Sequence, residues 1–400
     1  MFEPRMPAPT TALEPISTRS VAAAPSAERR DFPPFERIAL ALQGGGALGA
    51  YQAGVYEALA EADLHPDWVA GISIGAMNAA IIAGNPPASR VGRLREFWEL
   101  VTSGPGITPL FPGDSARTWL NQWSATSVLF GGIAGFFAPR AVSPWFSPDG
   151  SLEATSYYDT AALERTLERL VDFERINHGP TRLSVGAVNV RSGDFVYFDT
   201  TTHRIGPRHV MASGALPPGF PAVEIEGEHY WDGGLVSNTP LGWMVEAGPQ
   251  KDTLVFQVDL WSARGQFPRN MQRVSTRQKE IQYSSRTRAE SNRFRELQRY
   301  KNAVAELLAK LPPELAASPE MATLRGLSER KVGNLIQLIY RSREYEGDSK
   351  DYEFSRRSME EHWRAGYHDT VRTLRHPEVL ERPANPDGVF IFDVHEHGRE

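Results

Sequence analysis

A serine set between glycines, Gly71-Ile72-Ser73-Ile74-Gly75, follows the β-like run Trp68-Val69-Ala70 and precedes a stretch of small residues. A strand turning sharply into a helix at this point would lift the Ser73 hydroxyl into a cleft, the geometry of a nucleophile elbow. Such a turn has little room for side chains on either flank, which accounts for Gly71 and Gly75. Glycine and serine are common in loops, so the pentapeptide takes its weight from two companions. These are Gly44-Gly45-Gly46-Ala47-Leu48-Gly49 upstream and Asp232-Gly233-Gly234 far downstream.

The upstream segment sets the fold class. Ile38-Ala39-Leu40-Ala41-Leu42 is continuously apolar, as a parallel strand buried on both faces should be. It runs through the triple glycine into a helical pattern, with Leu48, Tyr51, Val55, Leu59 and Ala62 at helical spacing and Gly49, Ala50, Ala53 and Gly54 permitting close packing. Trp68–Ser73 then forms a second strand and Ala76–Ala83 opens a further helix. The unit is βαβ, with parallel strands and a right-handed crossover expected. Downstream, a helix is expected over Ala161–Val171 and a hairpin over Arg182–Val190 and Asp194–Phe198, turning at Ser192-Gly193. Strands are expected at Glu226–Tyr230, Thr253–Leu260 and Gly388–Val394. The fold class is α/β: a three-layer α/β/α arrangement around a mostly parallel sheet, with a helical C-terminal extension.

Four hundred residues, 41% of them hydrophobic, can bury a large core. The expected organisation is a disordered lead-in over residues 1–34, a catalytic domain over 35–265 and a charged, mainly helical region over 266–400. The lead-in is rich in Ala, Pro, Ser and Arg and lacks the apolar core of a secretory signal. Residues 101–158 are rich in Gly, Pro, Ser and aromatics, including Trp119, Trp123, Phe136, Phe137, Trp145 and Phe146. They read as a long loop with little regular structure, either a lid or substrate loop or core packing beneath a loop. Residues 264–301 carry eleven Lys and Arg against three Glu, a solvated helical face or a surface for anionic headgroups. Beyond them the chain to about Arg375 reads as charged amphipathic helices.

Some functions drop out at once. The net charge of −6 and pI near 6.0 give no signature of nucleic-acid binding. The absence of cysteine excludes disulfides, thiolate zinc sites and a thiol nucleophile, and fits a cytoplasmic location. No metal-ligand cluster has convincing spacing, and His395-Glu396-His397 reads as a solvated tail. Gly44 to Gly49 also fits the dinucleotide pattern G-x-G-x-x-G, after a strand and at a helix start. That pattern needs a carboxylate at the end of the next strand to hold the ribose, and this strand ends in Gly71-Ile72-Ser73. The glycines read instead as an oxyanion hole, in which the amides of Gly45 and Gly46 at a positive helix end meet a tetrahedral intermediate. An α/β-hydrolase triad would need a late histidine, and His362, His368, His376, His395 and His397 are available without a distinctive motif.

Together the three segments resemble the patatin-like phospholipases. The resemblance implies an oxyanion hole at Gly44, Gly45 and Gly46, a nucleophile at Ser73 and its partner in a Ser–Asp dyad at Asp232. Gly49, Gly71, Gly75, Gly233 and Gly234 complete the motifs. Ala212-Ser213-Gly214-Ala215-Leu216-Pro217-Pro218-Gly219-Phe220 is similar to the family segment that precedes the acid, and the likeness spans about residues 36–262. Leu48 stands where many relatives carry Lys or Arg, which removes the ground for expecting an anionic group beside the glycines. The resemblance implies a lipid acyl hydrolase of the phospholipase A or lysophospholipase type, acting without metal or cofactor. The substrate would be a lipid or other acyl ester, met in solution or through peripheral contact with a membrane. Three alternatives stay open: a carboxylesterase for non-phospholipid esters, a dinucleotide-binding protein and a catalytically silent membrane scaffold. Oligomeric state is not encoded in any feature of the sequence.

Overall fold

The computed structural model describes residues 33–104, 114–247, 251–284, 287–312, 331–385 and 388–393, with 321 and 324–325 besides. The lead-in up to residue 32 and the His395-Glu396-His397 tail lie outside the described residues. The chain from Pro33 onward forms one compact unit.

Its centre is β1 (Arg37–Leu42), paired in parallel with β2 (Trp68–Ile72) on one side and β9 (Thr253–Asp259) on the other. Alternation along β1 builds two layers of core. Leu40 and Leu42 pack with α1 (Ala50–Glu61), α2 (Ile74–Ala83) and α3 (Pro87–Val101), whereas Ala39 and Ala41 pack with Trp68, Leu241 and Met244. Burial of both faces is what the unbroken apolar run requires. Helices thus flank the sheet on both sides, giving the expected three-layer α/β/α architecture.

Between α3 and the second half of the sheet lie α4 (Asp114–Gly131), a short ribbon of β3 (Ala138–Pro139) and β4 (Tyr158–Asp159), α5 (Ala161–Leu170) and α6 (Phe173–His178). The eighteen-residue α4 corrects the expectation of a loop with little regular structure. Its apolar residues are spread around the helix rather than gathered on a stripe, so no helical period stands out in the sequence. Then come β5 (Arg182–Asn189), β6 (Phe195–Asp199), α7 (Pro207–Ser213), β7 (Val223–Ile225), β8 (Glu228–Asp232) and α8 (Leu241–Glu246). The expected β5–β6 hairpin is present and antiparallel.

The C-terminal third is helical in α9 (Met271–Ser284), α10 (Thr287–Leu308) and α11 (Arg356–Leu374). It also supplies β10 (Gly333–Ile339) and β11 (Val389–Asp393), which extend the sheet in parallel beyond β9. β11 matches the strand expected near residue 388, but β10 falls where the sequence reads as amphipathic helix. Seven residues with Gln337 in the middle carry too little periodicity to separate strand from helix. The strand order is β11-β10-β9-β1-β2-β5-β8-β7, with β6 also paired to β5.

Helix α11 closes over α1 at backbone range. A Cβ at Gly54 would collide with the Trp363 carbonyl, and one at Gly366 with the Tyr51 carbonyl. Trp363 is buried beneath this crossing and donates from its indole N–H to Glu57 at 2.5 Å. Gly54→Ala should therefore force α11 outward and cost about 1–3 kcal/mol, the usual penalty for overpacking. Urea denaturation of the variant checks this; an unchanged midpoint would contradict the contact.

Candidate active site

The sheet brings Ser73 and Asp232 together by register. β6 occupies one edge of β5 over Ser184–Val188, so β2 and β8 must share the other edge. Along that edge Ile72, the last residue of β2, lies opposite Gly186, and Asp232, the last of β8, lies opposite Ala187. Two strands far apart in the chain thus end against consecutive residues of one ruler. The next residue after Ile72 is Ser73.

Ser73 sits at the start of α2 with φ 55° and ψ −124°, a left-handed backbone that side chains rarely adopt. The turn is tight because the backbone runs against backbone: a Cβ on Gly75 would meet the Leu42 carbonyl, and one on Gly71 the Gly75 carbonyl. The Ser73 amide donates to the Ser213 hydroxyl at 3.0 Å, which explains the serine in the segment from Ala212 to Phe220. The positive end of α2 falls at this serine.

Asp232 is 2% exposed. Its carboxylate accepts the Gly234 amide at 2.7 Å and shares a cavity with Ser73. Burial pushes the carboxyl up from 3.8 to about 6, and the neighbouring Ser73 side chain and the Gly234 amide pull in the opposite direction. Gly233 packs against the Gly186 carbonyl where the two strands meet, so the first glycine after the acid leaves no space for a side chain.

The triple glycine lies alongside. The Gly44 amide is taken by the Asn238 carbonyl at 3.2 Å. Among the described residues the amides of Gly45 and Gly46 have no acceptor. Four residues that the motif reading missed hold this loop. The Asn238 side-chain amide and the Trp261 indole N–H each donate to the Gly44 carbonyl at 3.0 Å. The buried Gln43 side chain accepts from the amides of Leu260 and Trp261 and donates to Thr239 at 2.9 Å. Asp351 presses from the C-terminal third: its carbonyl accepts the Ala47 amide at 2.8 Å and lies where a Gly46 Cβ would be. Gln43 and Asn238 adjoin the motifs and could have been flagged as polar residues beside them. Trp261 and Asp351 give no sequence signal, because only the fold brings them near. Leu48 is fully buried and brings no charge of its own to the end of the glycine segment.

These groups open on a cavity of about 320 Å³. Much of its wall is apolar, built by Met77, Val128, Leu129, Phe220 and Phe354 among others, with rings of Phe136, Phe137, Tyr158 and Phe220 packed together. No histidine lines it among the described residues. His362 is buried elsewhere, 3.5 Å from Glu346 and against the Tyr340 ring. His395 and His397 are outside the described residues. No group of His, Cys, Asp or Glu that could hold a metal occurs among the described residues.

The raised Asp232 carboxyl has a consequence for folding. Its proton binds more tightly in the folded chain (about 6) than in the unfolded one (3.8), so its favourable contribution is complete below pH 3.8 and is lost as pH rises through 6. The full loss amounts to about 3 kcal/mol. Asp232→Asn cannot ionise, so its stability relative to the parent should increase by a comparable amount between pH 4 and pH 8. Denaturant titrations at the two pH values measure the difference.

Comparison with known proteins agrees with the motifs. Residues 40–243 match the family described as Patatin-like phospholipase, and residues 281–386 match a second described as Patatin phospholipase. A patatin-like phospholipase domain-containing protein of Caenorhabditis elegans is 41% identical over 61 residues, 15% of this chain and 6% of that protein. The chain therefore matches only a small part of that relative's length. The crystal structure of VipD from Legionella pneumophila aligns over 90% of this chain and 72% of its own, at 14% identity and a TM-score of 0.38. By the family match across half its length, the chain belongs to the patatin-like phospholipase family.

Proposed function

We propose that the protein is a serine acyl-ester hydrolase acting on lipids, of the phospholipase A or lysophospholipase type, with Ser73 as nucleophile and Asp232 as its base. The observation that carries this reading is that strand register brings Ser73 beside the buried Asp232 carboxylate, and both line one largely apolar cavity. Ser73 Oγ attacks the ester carbonyl while Asp232 accepts its proton. The carbonyl oxygen, now negative, is met by the amides of Gly45 and Gly46, with each such donor worth about 3–4 kcal/mol. Asp232 returns the proton to the leaving alcohol, then takes one from the water that releases the fatty acid.

The dinucleotide alternative loses support at the helix start. There a pyrophosphate would need the Ala47 amide, and the Asp351 carbonyl already accepts it. A histidine-based triad is disfavoured because none of the described histidines lines the cavity. A carboxylesterase for smaller esters uses the same groups and differs only in the acyl chain accepted.

The segment from α4 to β4 serves as the substrate loop in this reading. It supplies Val128, Leu129, Phe136, Phe137 and Tyr158 to the cavity, while its Phe130, Trp145 and Phe146 are each more than 80% exposed. Large apolar side chains held in water beside an acyl cavity suit peripheral contact with a membrane. No described helix is long and apolar enough to cross one.

Two outcomes test the proposal. Ser73→Ala and Asp232→Asn should each lower ester turnover by at least about a thousandfold while remaining folded, and Ser73→Ala should not react with a fluorophosphonate. Near-parental turnover in either purified variant would end the assignment. The kcat/KM of the parent should also fall below a pH of about 6 as Asp232 takes up a proton. A flat profile from pH 5 to 8 would remove Asp232 as the base.

A further inference from the structure

A second cavity, of about 230 Å³, lies at the carboxyl ends of the parallel strands β9, β10 and β11. Asp259 enters it from the end of β9, Arg341 from just past β10 and Asp393 from the end of β11. Arg264 and Arg295, from the basic stretch singled out in the sequence, complete the charged wall. Open parallel sheets take ligands at this end, where successive strands deliver their last side chains into one crevice. Neither Ser73 nor Asp232 lines it; only the Trp261 ring is shared with the ester cavity.

Asp259 has no role in ester hydrolysis, yet it is 1% exposed. One of its oxygens accepts the Gln257 side-chain amide at 2.7 Å, and the other has no partner among the described residues. Burial, reinforced by the charges of Glu290 and Asp393, pushes its carboxyl up to about 8, so at neutral pH it carries a proton to donate. A buried polar oxygen left unpaired costs about 1–3 kcal/mol, and a ligand in the cavity would recover it. The remaining charge is positive: three guanidinium groups against Asp393, which lies 3.4 Å from Arg341. The excess continues into an adjoining cavity of about 460 Å³, which shares Arg264 and Arg341 and adds Arg273, Arg277 and Arg343 against Glu280.

We propose that this second cavity binds a phosphate monoester, its oxygens held by Arg264, Arg295 and Arg341 and its inner edge hydrogen-bonded by Asp259. Guanidinium forks match the paired oxygens of phosphate, and a dianion answers the surplus positive charge more fully than a carboxylate does. The monoester comes either from a soluble phosphorylated compound or from the headgroup of a phosphatidate in a membrane. Binding does not depend on ester chemistry at Ser73.

Calorimetric titration of the full chain with glycerol 3-phosphate, and with glycerol as the neutral control, tests the site, alongside flotation with phosphatidate–phosphatidylcholine vesicles. The ester should saturate and glycerol should not. Arg295→Gln alters an exposed side chain, and combining it with Arg341→Gln should weaken binding at least about tenfold, whereas Ser73→Ala should bind as the parent does. Capture by phosphatidate vesicles without binding of the soluble ester assigns the lipid source, provided the arginine variants lose it. Affinity unchanged in both Arg295→Gln and the double variant, loss of binding in Ser73→Ala, or no binding to either probe up to about 10 mM phosphate monoester would each overturn the proposal.

Discussion

Everything at the candidate active site depends on a backbone turn that is sterically crowded on both sides. Ser73 holds a left-handed φ of 55°, a conformation costing a non-glycine residue about 1–3 kcal/mol. It persists because the surrounding chain leaves no alternative: β2 is locked between β1 and β5, and α2 starts against the carbonyl at the end of β1. Glycine at 71 and 75 is the condition for that approach. The strain has a use, since a relaxed turn would carry the hydroxyl away from the end of β8, where the carboxylate waits.

The C-terminal third is part of this arrangement rather than an appendage to it. β10 and β11 cover the outer edge of β9, which would otherwise leave an unpaired row of backbone groups beside the central strand β1. Asp351 holds the amide of Ala47, and Tyr283, Tyr352 and Phe354 line the cavity beside Ser73. Lys279 fixes the Asp351 side chain at 2.9 Å, while the buried Lys350 bonds Glu280 at 2.8 Å and lies over the Trp261 ring. Part of the basic charge evident in the sequence is thereby spent on internal pairs that brace the glycine loop. The arginines that line the second cavity are drawn from the same stretch, so the region combines internal bracing with a positive surface.

The features legible in the sequence are those set by local sterics and apolar patterning. The β1–α1–β2 unit, the Ser73 elbow, the β5–β6 hairpin and β9 all follow from short apolar runs and the glycines between them. What could not be read arises from contacts between distant segments. β10 is too short and too polar at Gln337 to declare itself, and α4 spreads its apolar residues around the helix. Asn238 and Trp261 converge on one carbonyl from 194 and 217 residues away, and no spacing rule connects them to Gly44. Even the nearness of Ser73 to Asp232 is a matter of register on β5, although their motifs are plain.

The proposed two-residue site asks more of its carboxylate than a triad would, and burial suits Asp232 to that demand. An aspartate in water, at 3.8, is a feeble base; at about 6 Asp232 is still largely ionised at neutral pH yet holds a proton far better. Desolvation favours its neutral form, so in the proposed mechanism receiving the Ser73 proton would relieve a penalty instead of adding one. The Ser73 side chain and the Gly234 amide pull the other way, against a carboxyl so raised that it would already be protonated and unable to act. Asp259 illustrates that limit. Equally buried but bonded by only one side-chain amide, it rises to about 8 and becomes a donor, so one sheet holds two aspartates at strand ends whose environments assign them opposite protonation states.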